Sequence, residues 1–301
     1  MEHNKILLVI TGPTAAGKTA VGIEIAKRLG TEIISADSRQ FYKEMSIGTA
    51  KPSASELAAV KHYFIDSHSI QDNFTVGDFE KQGLAVIEEL FQKHNIVLLV
   101  GGSGLFVKAI CEGFDDLPQA EPGVREKLNE EFKEKGITFL QEELKAADPE
   151  YYSQVDVQNP QRLIRALEVY KSTGKPFSAY RTSPVNRRPF KIVKAGLTLP
   201  REQLYDRINK RVDQMVQQGL VEEVRSLLPY RHLNALNTVG YSELFDYFDG
   251  KTDLNTAIDL IKQNTRRFAK RQLTWFRKDT SIQWYNPMDA NIADEILFQL
   301  Q

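Results

Sequence analysis

Two continuous apolar runs stand out along the chain, Lys5–Thr11 (KILLVIT) and Ile96–Val100 (IVLLV), each closed by a glycine turn. Runs without polar alternation predict parallel strands buried on both faces. Glu32–Ser35 is a shorter run of the same kind, Tyr63–Ile65 a candidate third strand, and Lys191–Leu199 (KIVKAGLTL) a strand-like stretch further on. Between them the period lengthens, and Ala20–Leu29 and Phe79–His94 carry apolar residues at helical spacing. Arg201–Leu228 and Ile258–Arg277 predict two long helices, and Ile282–Tyr285 an edge strand. Buried strands alternating with helices predict a parallel α/β sheet with ligands at the carboxyl ends of its strands.

The pattern changes after Gly113. Residues 121–150 hold nine acidic and five basic residues in helix-favouring sequence, without a buried-strand run. Gln161–Ser172 reads as an amphipathic helix, stopped by Gly174-Lys175-Pro176. The expected organisation is an α/β domain over 1–114 and 188–301, interrupted by a helical insertion at 115–187.

Composition narrows the function classes. A chain of 301 residues, 42% hydrophobic and 26% charged, has the makings of a globular core. Its formal net charge of −1 gives no bulk attraction for nucleic acid or membrane, so any such site must come from local clustering. The single cysteine, Cys111, excludes an internal disulfide and a cysteine zinc cluster. His62, His68, His94 and His232 lie apart, without metal-ligand spacing. No signal-peptide pattern and no run of bilayer-spanning length is present, so the expectation is a soluble cytoplasmic protein.

The chemistry begins at Gly12-Pro13-Thr14-Ala15-Ala16-Gly17-Lys18-Thr19, which fits G-x-x-x-x-G-K-[ST] between a predicted strand and a predicted helix. Glycines let the backbone wrap phosphate oxygens, whose charge is met by amide N–H groups and a helix N-terminus. Lys18 adds a positive charge, and the Thr19 hydroxyl is placed to ligate Mg2+. A diphosphate or triphosphate is the expected ligand. The motif names no reaction, since kinases, NTPases and other transferases share it.

Asp37, within Ser35-Ala36-Asp37-Ser38-Arg39-Gln40-Phe41-Tyr42, falls at the carboxyl end of the second strand. It suits a general base, a magnesium ligand or a plain helix N-cap. Gly48–Pro52 and Gly101–Gly104 are candidate rims of a binding site, or ordinary turns. Lys262–Lys278 carries seven positive and no negative residues, interleaved with Phe268, Trp275 and Phe276, and Arg181–Lys194 carries five positives and no acids. Such stretches suit a phosphate backbone with stacked bases, or a solvated face with inward aromatics.

Taken in order, GPTAAGKT at 12–19, SADSRQFY at 35–42, GTAKP at 48–52 and LLVGGSGLF at 98–106 resemble the tRNA dimethylallyltransferases. So do NPQRLIRALEVY at 159–170, TGKP at 173–176, RINKRVDQMVQQGLVEEV at 207–224, VGYSE at 239–243 and TRRFAKRQLTWFR at 265–277. The resemblance spans nearly the whole chain. It implies a P-loop NTPase-like parallel sheet with a helical insertion domain. The implied reaction moves a dimethylallyl group from dimethylallyl diphosphate to the exocyclic N6 amine of the adenosine 3′ of the anticodon in tRNA. ATP is not required.

On this resemblance Gly12, Pro13, Thr14, Ala15, Ala16, Gly17, Lys18 and Thr19 hold the diphosphate, with Mg2+ on Thr19. Asp37 is the implied general base, and Ser103 joins the catalytic set. Arg207 and Arg211 share one helix face, and the resemblance brings Arg211 first to the diphosphate. Their plain alternative is pairing with Asp206 or Glu202. Asp37, Ser38, Arg39, Gln40, Ser103, Gln161, Arg162, Leu163, Ile164, Arg165, Lys270, Arg271, Gln272, Trp275 and Arg277 fall where the family contacts the tRNA anticodon arm. One chain can build one site, so a monomer without membrane contact is expected. Three residues depart from the family pattern: Ala16 stands where many members have Ser, Ser103 for Thr, and Phe106 for Tyr. The rival is an ATP-dependent small-molecule or nucleotide kinase with the insertion as its lid. A small acceptor gives no reason for two acid-free basic stretches.

Overall fold

The computed structural model describes residues 5–115, 117–118, 120–181 and 188–300. β1 (Ile6–Thr11) leads into α1 (Lys18–Leu29), β2 (Ile33–Ser35), α2 (Ala54–Ala59) and β3 (His62–Tyr63). Then come α3 (Val76–Phe91), β4 (Ile96–Gly101), α4 (Gly104–Glu112), α5 (Val124–Ala147), α6 (Pro149–Gln154) and α7 (Pro160–Thr173). The chain closes with β5 (Lys191–Leu197), α8 (Arg201–Gln217), α9 (Leu220–Ser226), α10 (Tyr241–Phe248), α11 (Leu254–Phe276), β6 (Ile282–Tyr285) and α12 (Ile292–Phe298). It divides into two compact units, Met1–Glu112 with Arg187–Gln301, and Gly113–Asn186.

In the first unit the strands form one sheet in the order β3-β2-β4-β1-β5-β6, every pairing parallel. The apolar runs are strands because both their faces are covered. Leu7 and Val9 point into one core with Phe79 and Ile110, while Leu8 and Ile10 point into another with Ile25 and Ile296. The register decides where chemistry can gather. Ile10 pairs with Val100 and Val100 with Ser35, while Thr11 pairs with both Gly101 and Gly196. The loops after β1, β2, β4 and β5 therefore leave the sheet side by side, with the β4 loop between the other two that matter most.

The single long helix expected over 201–228 is two. Gly219, at φ +103°, takes a left-handed turn that no right-handed helix can pass through, so α8 stops at Gln217 and α9 starts at Leu220. Helices α2, α4, α10 and α12 were not separable in the apolar pattern. α2 and α3 open on capping boxes, Ser53 with Glu56 and Thr75 with Asp78.

The second unit packs Leu128, Leu140 and Leu144 of α5 against Leu163, Ile164 and Leu167 of α7. Asp148 is only 1% exposed and accepts from Tyr151 N, Ser178 N and Ser178 Oγ, which fixes the turn between α5 and α6. Leu163 and Ile164 were expected at an RNA surface. Both are fully buried, because their helical positions face this core, whereas Gln161 and Arg162 are exposed and Arg165 is half-buried.

Candidate functional site

A cavity of about 480 Å3 opens at the carboxyl ends of the strands. One wall is the phosphate loop. Gly12 has φ +140°, and a Cβ there would lie 2.3 Å from Leu197 O, so the close approach of the loop to β5 demands glycine. Gly17 caps α1 without any side-chain hydrogen bond. The first-turn N–H groups of α1, which have no intrahelical acceptors, are left for a ligand in the cavity that Gly17, Lys18, Thr19 and Ala20 line. Ala16 is fully buried among apolar neighbours, so the Ser common in its place contributes nothing this core needs.

Lys18 Nζ donates to Pro13 O at 2.7 Å. Burial brings its ammonium down from 10.5 to about 8, with Asp37 pulling it up and Arg211 pushing it down. The Arg211 guanidinium is likewise lowered by burial, opposed by Asp37 and reinforced by Arg207. Two desolvated cations and one carboxylate thus share a small volume. That arrangement is poised for an anion with more than one negative charge.

The opposite wall is α8. Arg207, Lys210, Arg211 and Gln214 line the cavity at the spacing of one helix face. Lys210 and Gln214 escaped notice in the sequence, although i+3 from each arginine would have found them. Arg211 donates from Nη1 toward Thr14 Oγ1 at 3.5 Å and from Nη2 to Ala50 O at 3.3 Å. Arg207 Nη2 would lie 3.8 Å from a Cβ at Gly17, and its Nη1 faces Met288 Sδ at 3.6 Å. Asp206 pairs with Lys210 at 2.8 Å. Among the described residues, neither arginine forms an ion pair with Asp206 or Glu202.

Asp37 lines the cavity two residues beyond β2. Its Oδ1 accepts from Arg39 N at 2.9 Å and Gln40 N at 3.3 Å, which makes it a turn cap as well. Among the described residues no hydrogen bond engages Oδ2. Gln40 also lines the cavity and donates to Thr49 O and Ala50 O. Arg39 reaches Asn237 O at 3.5 Å, and burial lowers its pKa against the pull of Tyr42 and Asp37. Ser38 and Ser103 do not line the cavity. Ser103 sits just before α4, its N donating to Ala36 O at 3.1 Å.

The stretch 262–278 forms the second half of α11 and divides by face. Ala269 and Phe276 turn inward, while Arg267, Phe268, Lys270, Arg271, Trp275 and Arg277 are exposed. Of the aromatics, Phe276 turns inward as on a solvated face, while Phe268 and Trp275 stay exposed at 40% and 39%. Trp275 packs on the loop after β4, where a Cβ on Gly104 would lie 2.3 Å from its Nε1. Gln272, expected at the RNA, is only 8% exposed. Its Oε1 accepts from Thr14 N at 2.8 Å and its Nε2 donates to Gly102 O at 2.8 Å, so it splints the phosphate loop to the β4 loop.

The other basic stretch behaves differently. Arg188 donates to Ile110 O, Ala109 O and Glu80, and is nearly buried. Lys194 pairs with Asp279 at 2.6 Å. These two cations are internal ties rather than a surface for nucleic acid; residues 182–187 lie outside the described residues. Phe106 is buried against Phe41 and Phe79, where a tyrosine hydroxyl would have to find an acceptor among aromatic rings.

A family model described as IPP transferase matches residues 40–279. The chain belongs to the IPP transferase family. Within it, a tRNA dimethylallyltransferase of Christiangramia forsetii is 58% identical over 292 residues, covering 96% of this chain and 97% of that one. One from Cytophaga hutchinsonii is 51% identical over 284 residues, covering 94% and 93%. The crystal structure of the full-length tRNA isopentenylpyrophosphate transferase from Bacillus halodurans superposes with a TM-score of 0.71 at 38% identity, covering 99% of this chain and 97% of that chain. These likenesses extend across both units. They set the kinase reading aside, because this IPP transferase family member matches prenyltransferases from end to end.

Proposed function

We propose that the protein transfers a dimethylallyl group from dimethylallyl diphosphate to the exocyclic N6 amine of the adenosine 3′ of the anticodon in tRNA, releasing diphosphate. The observation that carries this is one cavity holding the phosphate loop, the cationic face of α8 and the Asp37 carboxylate together. The amine nitrogen forms a bond to the allylic carbon as the carbon–oxygen bond to diphosphate breaks. Lys18, Arg211 and the α1 N-terminus take up the charge that develops on the departing group. Asp37 receives the amine proton through Oδ2. An aromatic amine is a weak nucleophile, so alignment of donor and base carries much of the acceleration.

Magnesium would be held by the Thr19 hydroxyl, which lines the cavity, together with phosphate oxygens and water. Among the described residues no group of three His, Cys, Asp or Glu converges, and magnesium with phosphates needs none. When bound, it would neutralise diphosphate charge. The anticodon arm is read by the exposed face of α11 in the first unit and by Gln161, Arg162 and Arg165 in the second. Every residue lining the cavity belongs to the first unit, so one chain can build one site. No described helix is long and apolar enough to cross a membrane.

The deciding experiment incubates purified protein with unmodified tRNA and dimethylallyl diphosphate, without ATP, and weighs the nucleosides. Prenylated adenosine is expected. Hydrolysis of ATP with unchanged tRNA would end the proposal.

Two further outcomes follow from the electrostatics. Diphosphate is held by the charged form of Lys18, so donor affinity falls as pH rises through about 8. Titrations on either side of that value show the decline, and Lys18→Met, which has no amine to lose, removes that inflection. Binding of tRNA is salt-sensitive. With about five phosphate contacts from the cations on the exposed face of α11, affinity drops by roughly 10²-fold for a fourfold rise in salt. A flat profile in a filter-binding series would reject this surface.

A further inference from the structure

The loop 46–51 lines the cavity through Thr49, Ala50 and Lys51, yet it has no regular structure of its own. Something must hold it. Glu223, on α9, accepts from three successive backbone N–H groups: Ser46 at 3.0 Å and Ile47 at 2.7 Å on Oε2, and Gly48 at 3.0 Å on Oε1. A fourth bond to Oε1 comes from the Tyr241 hydroxyl at 2.7 Å. Tyr241 is fully buried, and its ring lies so close under Gly48 that a Cβ there would sit 2.6 Å from it. A carboxylate that gathers three consecutive amides fixes their directions, and so the directions of the carbonyls that follow.

Those carbonyls face the site. Ala50 O accepts from Arg211 Nη2 at 3.3 Å and from Gln40 Nε2 at 3.0 Å, and Thr49 O accepts from the same Gln40 Nε2 at 3.1 Å. Ala50 is held at φ +50°, a left-handed conformation that alanine does not adopt unaided. The restraint from Glu223 and Tyr241 offsets that strain. We infer that Glu223 is a positioning residue: by clamping the 46–48 amides it holds the Ala50 carbonyl where it orients Arg211 for the anionic ligand. The inference deepens the proposed function and rests on it for the identity of that ligand as a diphosphate. Glu223 touches no reacting atom. It acts through the loop, and the loop through Arg211.

The test compares Glu223→Ala and Glu223→Gln with Arg211→Ala and the double variant Glu223→Ala/Arg211→Ala. Glutamine has one acceptor oxygen in place of two, so it keeps part of the clamp and gives an intermediate effect. Two readouts are taken. The first is affinity for inorganic diphosphate by calorimetry; the second is steady-state prenyl transfer with separate KM values for donor and tRNA. Glu223→Ala is expected to weaken diphosphate binding and raise donor KM about 10-fold, with tRNA KM within about twofold. In the double variant the loss is no larger than in Arg211→Ala alone, because the clamp acts only through that arginine.

Fully additive losses, or equal rises in both KM values, overturn the inference. Amide hydrogen exchange guards against a variant that merely unfolds. Faster exchange confined to 46–51 supports the clamp, and unchanged exchange there refutes it. If wild-type protein binds diphosphate but leaves tRNA unmodified, the proposed reaction fails while the clamp is judged on diphosphate affinity. If it binds no diphosphate, the reaction fails and hydrogen exchange decides the clamp.

Discussion

Asp37→Asn lowers the turnover of prenyl transfer by about 10²–10⁴-fold, the range for loss of a general base. Asparagine is the sharper probe. It preserves an oxygen to accept from Arg39 N and Gln40 N, so the turn after β2 survives, while the group that takes a proton is gone. Asp37→Ala removes both and adds the loss of the turn's two hydrogen bonds to the same kinetic defect. Donor affinity moves the other way. Asp37 shares the cavity with the ligand's anionic oxygens, so its neutralisation leaves diphosphate binding equal or tighter. Single-turnover rates and donor titrations on both variants check this split. Equal turnover in wild type and Asp37→Asn would remove Asp37 from the proton transfer and leave it a turn cap.

Lys18→Ala has the second large effect, an expected loss of about 10²–10³-fold in kcat from one preorganised charge at the leaving group. Donor KM rises as well, because the same ammonium meets the diphosphate in the ground state. Affinity for tRNA stays within about twofold, since nothing places Lys18 on the exposed face of α11. Stability does not fall. The burial that brings Lys18 down to about 8 opposes its charged form, so folding has to meet a desolvation cost that alanine lacks. Equal losses for donor and tRNA, or a lowered melting temperature, would contradict the assignment.

The two variants separate the halves of the reaction. On the proposed reaction Asp37 serves the nucleophile and Lys18 the leaving group, so both variants lose turnover but only Lys18→Ala raises the donor KM. Beside them on the cavity wall is Arg211, which lowers Lys18 and is itself drawn up by Asp37, and whose aim the Glu223 clamp sets. A displacement that depends on alignment is sensitive to such aim.

Much of this was legible in order along the chain. GPTAAGKT carries its geometry locally, because the glycines, the lysine and the following helix act within one turn of backbone. The strands β1 and β4 were equally plain, since burial on both faces leaves an uninterrupted apolar run. Arg207 and Arg211 were placed on one face by helical spacing alone, and the structure puts both on the cavity wall. Where the reading went astray, one side of a helix had been confused with the whole of it. Leu163 and Ile164 lie inside the helical unit although their neighbours Arg162 and Arg165 do not. Gln272 looked like one more polar residue of a basic helix, but it is buried and splints two loops. Arg188 and Lys194 counted as surface charge and are internal ion pairs.

What the amino-acid sequence by itself determined was every feature with a short-range cause: the phosphate loop, the alternation of buried strands with amphipathic helices, the acid after β2 and the charge of α11. What only the tertiary structure decided was which of these meet. Glu223 lies 175 residues from Gly48 along the chain, and Gln272 lies 258 from Thr14, and no periodicity reports such pairings. They arise because parallel register brings the strand ends level, Gly219 turns α9 away from α8, and the packed helices then present a carboxylate or an amide to whichever loop lies opposite.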